Sequence, residues 1–149
     1  MHHRHYWMVG LVVAAGLGLA GCSTASIDLP AVANEPPSHV EAIEGSELSR
    51  VTLSEKAAQR LGIETAKVSG EEIDGTPRKV IPYGAVIYDT KGATWAYTSP
   101  EPLTFVRLPI TIAAIDGDRA VLSEGPEDGT AVVSVGAAEL YGTEFKVGH

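Results

Sequence analysis

The sequence is poor in the side chains that perform most enzyme chemistry. It contains one cysteine, two methionines and five histidines. Because Cys22 is the only cysteine, no disulfide bond can form within the chain. Both methionines and three of the histidines lie before residue 9, and the last histidine is His149, the final residue. Pairs of a nucleophile and a base are therefore scarce, and we expect no enzyme activity, no metal and no cofactor.

Basic side chains are also few. The chain has 11 Lys and Arg against 19 Asp and Glu, which gives a formal net charge of −8. Proteins that bind nucleic acid usually present a basic patch or stripe to the phosphates, and none is visible in this sequence. We therefore expect no nucleic-acid partner.

The first 21 residues have the pattern of a secretory signal peptide. Arg4 is their only charged residue, an uncharged apolar run follows from Trp7, and small residues end it. The tetrad Leu19-Ala20-Gly21-Cys22 resembles the lipobox of bacterial lipoproteins. That resemblance implies cleavage between Gly21 and Cys22, acylation of Cys22 with palmitate-type lipid, and attachment to a membrane through that lipid.

Two alternatives to a lipid anchor remain open, an uncleaved transmembrane helix and release into solvent. The uncharged stretch reaches Ile27, long enough to cross a bilayer core of about 20 residues. Its glycines and hydroxyl side chains disfavour a lipid-facing helix. We expect the protein in the cell envelope, on the outer face of the cytoplasmic membrane or in the periplasm. The sequence does not indicate which membrane carries the lipid.

The rest of the chain divides into a tether and one folded domain. Residues 22–49 hold five acidic residues, three prolines and no Lys or Arg. This composition is typical of a disordered segment, and the 27 residues after Cys22 would span about 30 Å. Residues 50–149 are long enough for one small hydrophobic core.

Short strand patterns dominate residues 50–149. Ser54 and Gly62 predict the start and end of one short helix. Turn chemistry at 89–92 and at 116–118 predicts two hairpins, whereas 69–77 has the composition of a polar loop. We therefore expect a mainly β domain, a small antiparallel barrel or sandwich of short strands with one short helix.

Three passages resemble a known family. They are residues 51–63, residues 81–89 together with 95–97, and the series from 105 to 145. In this order they resemble the C-terminal barrel and membrane-proximal region of periplasmic adaptor subunits, or membrane fusion proteins, of resistance-nodulation-division efflux systems, nearest to the heavy-metal branch. The resemblance implies an adaptor-like role in transmembrane transport and implies that residues 105–145 form strands. It also implies an inner-membrane transporter, or another envelope protein, as the partner.

The sequence also departs from that family. Full adaptors carry a long helical hairpin between two lipoyl half-motifs, and neither is found here, so we expect no bridging of two membranes by this chain alone. Two alternatives to the adaptor interpretation remain: an envelope lipoprotein that binds a ligand or metal, and a truncated adaptor without independent function. The transported substrate and the oligomeric state stay undetermined.

Four residues are candidates for contact with a partner. Trp95 and Tyr97, together with Tyr88, could form an exposed aromatic patch for a partner, although cross-strand pairing within the sheet is the favoured interpretation. Arg107 and Arg119 are the basic residues that we would test first at an interface. Sheet edges and hairpin tips are the expected docking surface.

Overall fold

The computed structural model describes residues 36–147, which form two antiparallel sheets and two helices. The first five strands are β1 (Ser38–Ala42), β2 (Ser49–Leu53), β3 (Glu64–Lys67), β4 (Ser69–Ile73) and β5 (Thr76–Pro82). The next three are β6 (Ile87–Tyr88), β7 (Thr94–Glu101) and β8 (Thr104–Pro109). The last are β9 (Thr111–Asp116), β10 (Arg119–Glu124) and β11 (Ala131–Val135). The helices are α1 (Glu55–Leu61) and α2 (Ala137–Phe145), with a 3-10 turn at Tyr83–Ala85.

The strands fall into a larger and a smaller sheet. The first sheet has the order β1-β2-β8-β7-β11-β3, and β6 also pairs with β7. The second sheet has the order β4-β5-β10-β9. All the strand pairs in both sheets are antiparallel. The predicted mainly β, antiparallel class is confirmed, but no closed barrel is found within residues 36–147.

The first helix matches its sequence signals. The Ser54 hydroxyl accepts a hydrogen bond from the backbone N–H of Ala57 at 3.2 Å, which satisfies one of the free donors of the first turn. Gly62 ends the helix in the left-handed region, at φ 62°, where glycine has no Cβ to clash. Of the helices in residues 36–147, none is both long and apolar enough to cross a membrane.

The second helix corrects the expectation of strands up to Phe145. Residues 137, 140, 141 and 144 face the core or pack at its edge, at the spacing of one helical face. Gly136 precedes the helix at φ 83°, a conformation that ends β11 and turns the chain. The domain therefore has two helices, not the one predicted.

The predicted disordered tether at 22–49 is wrong for Ser38–Ala42, which form β1. This strand pairs with β2 along its whole length, from Ser38 opposite Leu53 to Ala42 opposite Ser49. Val40 also packs against the first hydrophobic core. Paired backbone groups and one partly buried apolar side chain outweigh the acidic composition of the segment. The predicted signal peptide, Gly21, Cys22 and the rest of the tether up to residue 35 lie outside the described residues.

The predicted polar loop at 69–77 is also wrong, since it forms the β4–β5 hairpin. Asp74 and Gly75 both have positive φ, 51° and 71°, as the central residues of a type I′ turn require. The two predicted hairpins are confirmed: β6 pairs with β7 around Asp89–Gly92, and β9 pairs with β10 around Gly117.

Two hydrophobic clusters hold the elements together. The first lies between the first sheet and the helices and contains Val51, Leu53, Ala57, Ile87, Tyr97, Phe105, Val133, Ala137 and Leu140. The second contains Val68, Ile81, Ala85, Ala96, Ile110, Ala120, Leu122 and Val132. The second cluster draws Ala96 and Val132 from the first sheet and Ile81 and Leu122 from the second, so it joins the two sheets.

Candidate functional site

A buried polar cluster lies where α2 packs on the first sheet. Tyr97 of β7 is directly opposite Arg107 of β8, and Glu144 approaches both from the last turn of α2. The Arg107 Nε donates to the two carboxylate oxygens of Glu144 at 2.9 and 3.1 Å. The Tyr97 hydroxyl donates to Glu144 Oε2 at 2.5 Å. The Arg107 and Glu144 side chains are only 9% and 2% exposed, so this is a buried ion pair with an added neutral donor.

Two aromatic rings enclose the guanidinium of Arg107. Its Cζ atom lies 4.3 Å from the centroid of the Trp95 ring and 4.9 Å from that of Phe145, within the range of cation–π attraction. Within residues 36–147 no buried side-chain nitrogen or oxygen lacks a hydrogen-bond partner. Every fully buried polar side-chain atom of the cluster is therefore hydrogen-bonded, and the cluster fastens the end of α2 to two neighbouring strands.

The buried position of Tyr97 changes its acidity. Burial raises the pKa of the Tyr97 phenol well above its usual range, and the hydrogen bond to the Glu144 carboxylate raises the pKa further. Both effects disfavour a negative charge on the phenol oxygen. At neutral pH Tyr97 therefore acts as a hydrogen-bond donor and not as a base.

This raised pKa predicts alkaline instability. The folded state holds the Tyr97 proton more tightly than the unfolded chain, whose tyrosines ionise near pH ~10. The contribution of Tyr97 to the free energy of unfolding is therefore complete below pH ~10. Above that pH the free energy of unfolding falls by up to about 1.4 kcal/mol per pH unit. Urea unfolding between pH 8 and 11 would show this decline. The decline should become shallower in Tyr97→Phe, which has no phenol to ionise at this position; a profile equal to that of the unchanged chain would contradict the prediction.

The structure separates the four residues predicted to contact a partner. Tyr97 and Arg107 are buried, so their prediction as exposed contacts is wrong. Trp95 is half-buried and packs within the sheet, where its indole N–H donates to Asp89 at 3.1 Å. This bond lowers the pKa of Asp89. Only Arg119 keeps a substantially exposed side chain.

Arg119 ties one end of the second sheet together. Its Nη1 donates to the two carboxylate oxygens of Glu71, on β4, at 3.0 and 3.1 Å. Its Nη2 donates to Asp116, at the end of β9, at 3.1 Å. The bonds to Asp116 and Glu71 raise the pKa of Arg119. Arg119 thus links the two edge strands, β4 and β9, to β10. Asp116, predicted as part of a hairpin turn, also accepts one of these hydrogen bonds.

The strand β9 presents an edge of the second sheet. It pairs with β10 on one side and with no other strand of the described chain. Its sequence, Thr-Ile-Ala-Ala-Ile-Asp, contains no lysine, arginine or proline, the residues that usually protect an edge from pairing. Ile115 is 46% exposed on this strand. This edge is the best candidate for contact with a partner, and sheet edges are one of the two kinds of docking surface predicted from the sequence.

Chemistry at the described residues is otherwise sparse. Between residues 36 and 147 no group of three His, Cys, Asp or Glu side chains is placed to hold a metal ion. The acidic side chains of the buried cluster and of the Arg119 network already accept hydrogen bonds from protein groups. The arrangement can bind and pack.

Comparison with protein-family models, with curated proteins and with solved structures gives no match to this chain. The resemblance to efflux adaptors therefore stays a prediction from the sequence.

Proposed function

We propose that this chain is a lipid-anchored, non-enzymatic adaptor-like module that docks onto a transporter or another protein of the cell envelope. The lipobox at Leu19–Cys22 supports the membrane anchor. The three passages that resemble efflux adaptors support the role in transmembrane transport. The fold adds a small two-sheet domain whose polar clusters serve packing, which fits a binding module.

The exposed edge of β9 is the observation that supports docking most directly. An edge strand offers unpaired N–H and C=O groups to an extended segment of another protein, which can add to the sheet as a further strand. Side chains such as Ile115 then supply apolar contacts beside the new strand. In this proposal, the partner contributes an extended, mostly uncharged segment that pairs with β9.

Cross-linking in intact cells tests both the transporter partner and the docking edge. An affinity tag is placed after His149, and the captured proteins are identified by mass spectrometry. We expect a large membrane transporter to be recovered. Ile115→Lys places a charge on the β9 edge and should lower the recovery roughly tenfold, equivalent to about 1.4 kcal/mol. Val135→Lys is the matched control, since Val135 is 47% exposed and lies on β11 in the other sheet.

Each outcome of this experiment is decisive. Equal recovery from the two variants would show that β9 is not the docking edge. Failure to capture any reproducible partner at native expression would overturn the adaptor proposal and favour a truncated adaptor without independent function.

A further inference from the structure

An open groove runs between β1, α1 and α2. Its volume is about 780 Å³, within the range of pockets that hold small molecules, about 300–1,000 Å³. Val40, Leu53, Ala57 and Leu61 supply its apolar lining. Leu53 and Ala57 are themselves buried, so they form a fixed floor that belongs to the first hydrophobic core.

The charges around the groove contrast with the rest of the protein. The whole chain is strongly acidic, at −8, yet the groove is lined by Arg60, Lys146 and His39 against a single carboxylate, Glu139. Within residues 36–147 neither Arg60 nor Lys146 forms an ion pair. Both side chains are exposed, so two positive charges lie beside the apolar floor and can bind an anionic group.

We propose that this groove binds an anionic amphiphile, a molecule with an acyl chain and a carboxylate or phosphate head. The acyl chain would lie on the apolar floor, where it is removed from water. The head would accept charge-assisted hydrogen bonds from Arg60 and Lys146. An apolar floor with cations at its border fits such a ligand better than it fits a neutral or cationic one.

Gly142 offers a way to fill the groove without disturbing the fold. It lines the groove, and a Cβ added there would meet only Val147, at 3.6 and 3.7 Å, which is ordinary contact. Leucine is also a better helix former than glycine, by up to about 1 kcal/mol. Gly142→Leu should therefore keep α2 intact while its side chain occupies the space of the acyl chain.

The test uses the purified full chain in phosphatidylcholine nanodiscs and laurate below its micelle concentration as the probe. Hydrogen exchange of peptides covering α1 and α2 should slow saturably with laurate. Dodecyltrimethylammonium, a cationic amphiphile, should have no such effect. Because no residue of β9 lines the groove, this result is independent of docking at the β9 edge.

Three variants decide the proposal. Arg60→Glu with Lys146→Glu should weaken laurate binding at least tenfold, and Gly142→Leu should abolish the protection. The matched control, Lys67→Glu with Lys91→Glu, makes the same change in net charge at exposed lysines outside the groove and should bind as the unchanged chain does. Equal binding by the two charge-reversed chains would overturn the proposal. So would protection by an alternating Leu-Glu peptide but not by laurate, which would assign the groove to a protein partner.

Discussion

Replacing Glu144 by leucine is expected to lower the free energy of unfolding by about 3–5 kcal/mol. The substitution leaves the Arg107 guanidinium buried without its carboxylate and removes the acceptor of the Tyr97 hydroxyl. Removing one partner of a buried ion pair is costly because the remaining charge has lost both water and its counter-ion. Urea unfolding followed by circular dichroism measures the change.

Two further variants separate the ion pair from the helix itself. Glu139→Leu makes the same replacement on the exposed side of α2 and should change stability by less than about 0.5 kcal/mol. Adding Arg107→Met to Glu144→Leu should recover part of the loss, because the unpaired charge is gone. If Glu144→Leu unfolds at the same urea concentration as Glu139→Leu, the cluster does not fasten α2 as described.

Ile81→Ala should destabilise the domain by about 2–5 kcal/mol. Ile81 is 1% exposed and lies in the cluster that the two sheets share. Its truncation removes apolar contacts and leaves a cavity at the junction of the sheets. The loss should appear as a lower midpoint in thermal and urea unfolding.

The matched control is Ile115→Ala, which makes the same truncation in the same sheet at a 46% exposed side chain. It should cost less than about 1 kcal/mol. Because Ala96 and Val132 of the first sheet pack in the same cluster as Ile81, near- and far-UV circular dichroism should follow one transition. Two separate transitions in Ile81→Ala would show that the sheets unfold independently.

Signals within a few residues of the chain predicted the fold most reliably. Ser54 begins α1 and Gly62 ends it, as predicted, and the glycines at 92 and 117 take the positive φ of their turns. The Asp74–Gly75 hairpin and the helical spacing of α2 were equally visible in the sequence. Neither is predicted here, because the polar composition of 69–77 is typical of a loop and the family resemblance implies strands at the C-terminus.

Contacts between distant positions could not be predicted in this way. Arg107 and Glu144 are 37 positions apart, and Tyr97 and Glu144 are 47 apart. An arginine in a strand is exposed in most proteins, so only the tertiary fold shows that Arg107 is buried. The same holds for β1, whose acidic composition favours disorder and whose order depends on pairing with β2.

The position of β1 has a mechanical consequence. It is the first strand after residue 36 and the outermost strand of its sheet, so tension applied through Pro36 acts on β1 before any other element. Such a pull first meets the hydrogen bond from the Ser54 N–H to the Pro37 carbonyl, at 3.0 Å, and then the pair Ser38–Leu53. β2 would stay in place beside β8. Since Ser38, His39 and Val40 form one wall of the groove, tension that detached β1 would also remove that wall.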